Sequence, residues 1–194
     1  EAGLIATRRM LQLAESLKEG DFALGLISGG ASALMIAPLP GMTLADKQAL
    51  NTALLASGAP IGEMNIVRKH LSQVKGGKLA AATFPAQLLS LMISDVPGDD
   101  PALIGSGPTV GDRSTPADVL SILARWKIAV PDHVARALTQ SAKPVTPDSP
   151  LLARTQNRVV AAPSQSLEAA ASVARQAGYD VRVLGDRLEG EARD

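Results

Sequence analysis

Apolar residues recur at helical spacing from Leu4 to Leu17 and stop short of Gly20, and "FALGLIS" (22–28) follows as a compact apolar run. The first pattern predicts an amphipathic helix and the second a short buried strand. After the loop "PLPGMT" (38–43), Thr43 with Asp46 three residues on reads as a capping box, opening a helix that Gly58 closes. Residues 64–85 read as helix, a Gly-Gly break and helix again. "QLLSLMISDV" (87–96) is a second apolar strand, running into the loop "PGDDPALIGSGPTVGD". Thr115 and Pro116 fit the cap and first position of a helix to about residue 127, and Pro131 begins another. "AKPVTPDSP" (142–150) either separates two packing units or crosses the sheet. Beyond it, "NRVVAA" reads as a strand, 164–178 as a helix capped by Ser164 or Ser166, and "YDVRVLG" (179–185) as one more strand. Strands alternating with helices predict an α/β fold, a Rossmann-like three-layer sandwich with a largely parallel sheet.

In such a sheet ligands sit beyond the carboxyl ends of the strands, which directs attention to two loops. At Ser28, Gly29, Gly30, Ala31 and Ser32 the glycines allow close backbone approach, and successive N–H groups facing one way form a nest for a phosphate or carboxylate. A tight packing turn accounts for the same residues. "SDVPGDD" places Ser94, Asp95, Asp99 and Asp100 at the mouth of the second strand, where carboxylates hold Mg²⁺ or act as a general base on a hydroxyl. Asp beside Pro-Gly is also ordinary turn chemistry. "IGSGPT" adds Ser106, Gly107 and Thr109 within a dozen residues.

Charge sharpens one segment and composition removes whole classes. Nineteen Lys and Arg balance nineteen Asp and Glu, so no global field draws nucleic acid or an acidic membrane, and any anion must be met locally. "VRKHLSQVKGGKLA" is such a local concentration, with Arg68, Lys69, His70, Lys75 and Lys78 around Gly76-Gly77; it neutralises a polyphosphate if it faces the cleft, and is a solvated helix face otherwise. Aromatics at 2% leave few platforms for stacking bases. Cysteine is absent, which excludes disulfides and thiolate metal sites and fits a reducing cytoplasm, and no apolar run is long enough to span a bilayer. His70 has no nearby partner histidine, His133 reads as a surface residue, and Met35, Met42, Met64 and Met92 read as core filling. There is neither a GxxxxGK[ST] phosphate loop nor a GxGxxG dinucleotide fingerprint.

"LISGGASALM", "NIVRKHLSQVKGGKLA", "MISDVPGDDPALIGSGPTVGD" and the terminal "GEARD", in this order over most of the chain, resemble the glycerate 2-kinases of the class with a C-terminal MOFRL domain, a class that also carries the name hydroxypyruvate reductase. The resemblance implies ATP-dependent phosphorylation of D-glycerate to 2-phosphoglycerate with Mg²⁺, in a cleft between an N-terminal α/β domain and the MOFRL domain. It implies that residues 1–194 are most of that N-terminal domain, with a segment carrying a functional Gly-Lys motif before Glu1 and the MOFRL domain after Asp194, so that this stretch alone is expected to be inactive. Residue by residue, Ser28, Gly29, Gly30 and Ser32 become candidates for nucleotide phosphate or substrate carboxylate. Asp95 becomes metal ligand or base on the C2 hydroxyl, with Asp99 as a second metal ligand and Lys75 as a catalytic lysine. Arg68, Lys69, Gly76, Gly77, Ser106, Gly107 and Thr109 complete the phosphate and substrate contacts. Two departures are visible: Ala31 stands where members often have a third Gly, and Ser141-Ala142 where they have Glu-Thr. Partners are then glycerate and ATP, with no nucleic acid or membrane and with a homodimer left open. The alternatives are an NAD(P)H-dependent hydroxypyruvate reductase and a non-catalytic module that binds a phosphorylated metabolite.

Overall fold

The structure, a computed structural model, describes residues 1–140 and 144–186. The chain runs α1 (Ala2–Glu15), β1 (Phe22–Ile27), α2 (Ala31–Leu34), α3 (Leu44–Ser57), α4 (Ile61–His70), α5 (Lys78–Thr83), β2 (Gln87–Ile93), α6 (Pro116–Arg125), α7 (Asp132–Gln140), β3 (Thr155–Ala161) and α8 (Pro163–Gln176), with short 3₁₀ turns at Ile104–Ser106 and Pro150–Leu152. The three strands form one parallel sheet in the order β1-β2-β3. The α/β class with a parallel sheet is therefore as expected.

The capping box predicted at Thr43 forms, and the cap predicted at Thr115 turns out to be a second one. The Thr43 hydroxyl accepts from the Asp46 N–H while the Asp46 carboxylate accepts from Thr43, and Thr115 with Asp118 repeats the arrangement. Each satisfies helix-end donors that otherwise have no partner and is worth about 1 kcal/mol. Helix α8 starts earlier than expected, with Ala162 at its cap and Pro163 in its first turn in place of a serine cap. The strand expected at 179–185 does not form, and those residues make no ladder. A strand is stable only against a neighbour, and among the described residues none lies beyond β3. The "GEARD" motif and the Ser141-Ala142 departure lie outside the described residues.

Packing divides into distinct clusters. Leu50 and Leu54 of α3, Val67 of α4, Val119, Ile122 and Leu123 of α6, and Val134 and Leu138 of α7 form a core of helices against one another. Ala14, Val74 and Leu79 join α1 to α5. Ile27, Met92 and Ile104 seal the carboxyl ends of β1 and β2 under the loop that carries Ser106. Met92 is fully buried, and Met35, Met42 and Met64 pack against these clusters, as read from the sequence.

The register Ile27↔Met92 ends β1 and β2 side by side, which brings the loops after them together. On the outer side, Phe22, Leu24 and Leu26 of β1 are 60, 54 and 74% exposed, and a cavity of about 610 Å³ lies between that strand and α1.

Candidate active site

The loop after β1 meets the loop after β2 through one carboxylate. The Gly30 N–H donates to Asp95 Oδ2 at 3.3 Å, and a Cβ built on Gly29 would stand 3.1 Å from that oxygen and 3.4 Å from Asp95 Cβ. Gly29 is thus needed for the approach of Asp95, and Asp95 occupies part of the nest in which an external anion was expected. Ser28, Gly29, Gly30 and Asp95 are all open to solvent.

Behind them Lys75, only 1% exposed, ties three segments together. Its Nζ donates to Ser32 O at 2.8 Å, to Ser32 Oγ at 3.0 Å and to Gly105 O at 3.1 Å. Ser32 Oγ lies 2.9 Å from Ser106 Oγ, which donates onward to Asn65 Oδ1 at 3.3 Å. Ser106 is wholly buried with φ +63°, a left-handed conformation unfavourable for a residue with a side chain and held here by these bonds. All three ammonium protons of Lys75 are thus used inside the protein, which makes it the strut between the two loops. Burial, with Lys47 and Arg68 nearby, pushes its pKa down to about 7.

The remaining basic residues separate into paired and unpaired groups. Lys69 is buried in an ion pair with Asp112, whose other oxygen takes the Ser114 N–H and hydroxyl, and Ser114 Oγ lies 3.1 Å from His70 Nε2. Burial, together with Lys78, lowers His70 to about 4, so the ring is neutral. Lys78 donates to the carbonyls of Lys69 and Ser72, and burial, with Lys47 nearby, lowers it to about 8. Arg68 donates from Nε to Asn51 Oδ1 at 3.0 Å and has no carboxylate partner among the described residues. Lys47 Nζ is buried without any hydrogen-bond partner there, and burial, then Arg68, lowers it to about 8. The basic segment is therefore no solvated face: loops and helices enclose it, Asp112 balances Lys69, and Lys47, Arg68, Lys75 and Lys78 have no carboxylate partner among the described residues. His133 is half exposed beside Asp46, as expected of a surface residue.

Other predicted residues serve the scaffold. The N–H groups of Gly76 and Gly77 donate to Ser106 O at 3.2 Å and Gly107 O at 2.8 Å, and the Gly107 N–H donates to Ile104 O. Gly77, at φ +80°, has Gly111 Cα and Val145 Cβ each 3.2 Å from where a Cβ would stand. Thr109, 1% exposed, donates to Asn157 Oδ1 at 2.6 Å. Among the described residues no three or more His, Asp or Glu side chains come together as a metal cage. Asp99 Oδ1 is nonetheless buried without a partner. One orphaned carboxylate oxygen and the open carboxylate of Asp95 fit Mg²⁺, which takes one or two protein oxygens and completes its shell with water and phosphate.

Residues 1–139 match the family described as "Domain of unknown function (DUF4147)". The chain belongs to the DUF4147 family. An Agrobacterium vitis protein named "Putative hydroxypyruvate reductase" is 50% identical over 194 residues, which is 100% of this chain and 44% of that protein. The D-glycerate 2-kinase of Thermotoga maritima is 54% identical over 92 residues, 47% of this chain and 22% of its own length. In three dimensions, the crystal structure of a Thermotoga maritima glycerate kinase matches 94% of this chain and 42% of that one, with TM-score 0.82 and 40% identity. This DUF4147 chain thus spans less than half the length of those relatives, and its resemblance to glycerate kinases, read from four motifs, holds in sequence and in structure.

Lys47 and Asn51 lie outside every motif singled out in the sequence, and Asn65 and Asp112, though inside two of them, drew no role. Lys47 and Asn51 stand one turn apart inside a helix whose spacing reads as ordinary amphipathic surface, and Asp112 closes a Gly-rich loop as any turn aspartate does. Their partners Arg68, Ser106 and Lys69 lie 17, 41 and 43 residues away, so only the tertiary fold brings them together.

Proposed function

We propose that the protein containing this chain is a cytoplasmic kinase that transfers the γ-phosphoryl group of ATP to the C2 hydroxyl of D-glycerate, using Mg²⁺. Residues 1–194 are then most of its N-terminal domain, and the cleft is completed by a C-terminal MOFRL domain. The observation that carries this reading is the meeting of Asp95 with Gly29-Gly30 at the ends of two parallel strands, with the buried Lys75 bonded to Ser32 of the same loop.

In the reaction the C2 oxygen attacks the γ-phosphorus, the bond from that phosphorus to the β,γ-bridging oxygen breaks, and ADP leaves with that oxygen. The hydroxyl proton passes to Asp95, the one carboxylate bonded to the Gly-rich loop. Mg²⁺ held by Asp95 and Asp99 would offset charge on the phosphates. We assign Ser28 and Gly29, exposed beside Asp95, to the transferred group, while Lys75 holds Ser32 and Gly105 in place. Such transfer depends chiefly on positioning and electrostatic stabilisation, which this loop assembly provides.

The name borne by the 50% identical relative favours a second reading, reduction of hydroxypyruvate with NAD(P)H. Against it stands the want of a GxGxxG turn after β1. The intact protein given D-glycerate and ATP is expected to release ADP and to form 2-phosphoglycerate, identified by phosphorus NMR. Consumption of NADPH with hydroxypyruvate, and no ADP, would overturn the kinase reading. Asp95→Asn is expected to lower kcat by about two orders of magnitude or more with circular dichroism unchanged. A change in affinity alone would point instead to a binding module.

A further inference from the structure

Lys47 has no part in the chemistry just described, yet its placement is strongly unfavourable for the folded protein. Its ammonium is removed from water with no acceptor among the described residues, and the charge acting on it is that of Arg68, of the same sign. A fold retains such a group when something outside the chain neutralises it.

Arg68 shows what that partner has to look like. Asn51, one turn beyond Lys47 on the same face of α3, accepts from Nε and fixes the guanidinium plane. The two terminal nitrogens of Arg68 make no ion pair or hydrogen bond among the described residues and are left as a fork, the geometry that matches two oxygens of one anion. Three residues before Arg68 on α4, Asn65 accepts from Ser106, which bridges to Ser32 and Lys75. The fork and the buried ammonium therefore adjoin the assembly that carries the Gly-rich loop. A Lys47 ammonium closed off from water beside a half-buried Arg68 fits a small terminal oxyanion better than a triphosphate, which has to run outward to its nucleoside.

We propose that Lys47 and Arg68 form the subsite for the carboxylate of the acid substrate, making Lys47 a substrate-binding residue absent from every motif of the sequence. This rests on the kinase reading for the identity of the acid, and titration without nucleotide tests the two separately. D-glycerate is titrated calorimetrically into the intact protein and its Lys47→Met and Lys47→Arg variants, and steady-state KM values for D-glycerate and ATP are measured in parallel. Lys47→Met is expected to weaken D-glycerate about ten- to hundredfold, as expected for loss of a charge-assisted hydrogen bond, with KM for ATP unchanged and partial recovery in Lys47→Arg. The ligand-free Lys47→Met protein is expected to melt no lower than the wild type, because it has lost an uncompensated buried cation. A merely structural lysine would not give that combination.

A change confined to the KM for ATP, or no change in either KM, overturns the assignment, as does a Lys47→Met protein that melts lower and binds D-glycerate normally. Should Lys47→Met fail to fold, wild type and Arg68→Gln are compared on D-glycerate and its neutral amide; equal preference for the acid in both proteins overturns the assignment. Lys47-dependent binding of D-glycerate without phosphorylation sustains the subsite and removes only the kinase reading.

Discussion

Lys75 makes stability depend on pH in a direction that is unusual for a neutral protein. Its pKa falls from an ordinary 10.5 in the unfolded chain to about 7 in the folded protein. Below pH 7 the ammonium is charged in both states, and the fold bears the full cost of burying it. As pH rises past 7 the folded state releases the proton while the unfolded state keeps it, so the unfolded state binds more protons and unfolding becomes harder. The rise ends near 10.5, where both states are neutral. At about 1.4 kcal/mol per unit of pKa, and allowing for half-titration at pH 7, the gain between pH 7 and 9 is about 2 kcal/mol. For a chain of this size that is a rise of roughly 4–8 °C in Tm. Lys47 and Lys78, each lowered to about 8, act in the same direction. Thermal melts of the ligand-free protein at pH 7, 8 and 9 and fixed ionic strength read the effect, and Lys75→Met is expected to remove the largest part of it. A Tm that is flat or falls over this range in the wild type would refute the reasoning, as would an undiminished slope in Lys75→Met.

Three further substitutions probe the scaffold and the loops. Gly29→Val sets a branched side chain against Asp95, 3.1 Å from where its Cβ stands, and is expected to abolish turnover in a steady-state assay while shifting Tm little, since Gly29 is exposed. Gly77→Ala, at φ +80° with backbone and side-chain atoms 3.2 Å away, is expected to cost about 1–3 kcal/mol or more in denaturant unfolding. Asp112→Ala strips the buried Lys69 of its counter-charge and is expected to cost about 3–5 kcal/mol, read in the same assay.

What could be read in advance was what the chain encodes locally. Thr43 with Asp46, three residues apart, and Thr115 followed by Pro116 announce their helices locally, and the apolar runs of β1 and β2 are short, bounded and unbroken. "YDVRVLG" carries an equally good strand pattern and forms none, because alternation describes a face and says nothing of whether a neighbour exists to pair with it. The site divides along the same line. Gly29, Gly30 and Asp95 were visible because each loop shows its chemistry within a few residues. Whether a lysine in "VRKHLSQVKGGKLA" faces solvent, a carboxylate or another lysine depends on Asp112, Gly105 and Lys47, which sequence spacing does not bring near.

The edge strand β1 also bears on how the chain behaves in concentrated solution. Its outer edge, unpaired among the described residues, and its exposed Phe22, Leu24 and Leu26 offer a template to which another extended segment can add, and a formal net charge of zero at pH 7 supplies no long-range repulsion to keep copies apart. One six-residue strand thus contributes to the self-association of these 194 residues handled by themselves, and Leu24→Lys is expected to improve solubility without touching the loops where the chemistry lies.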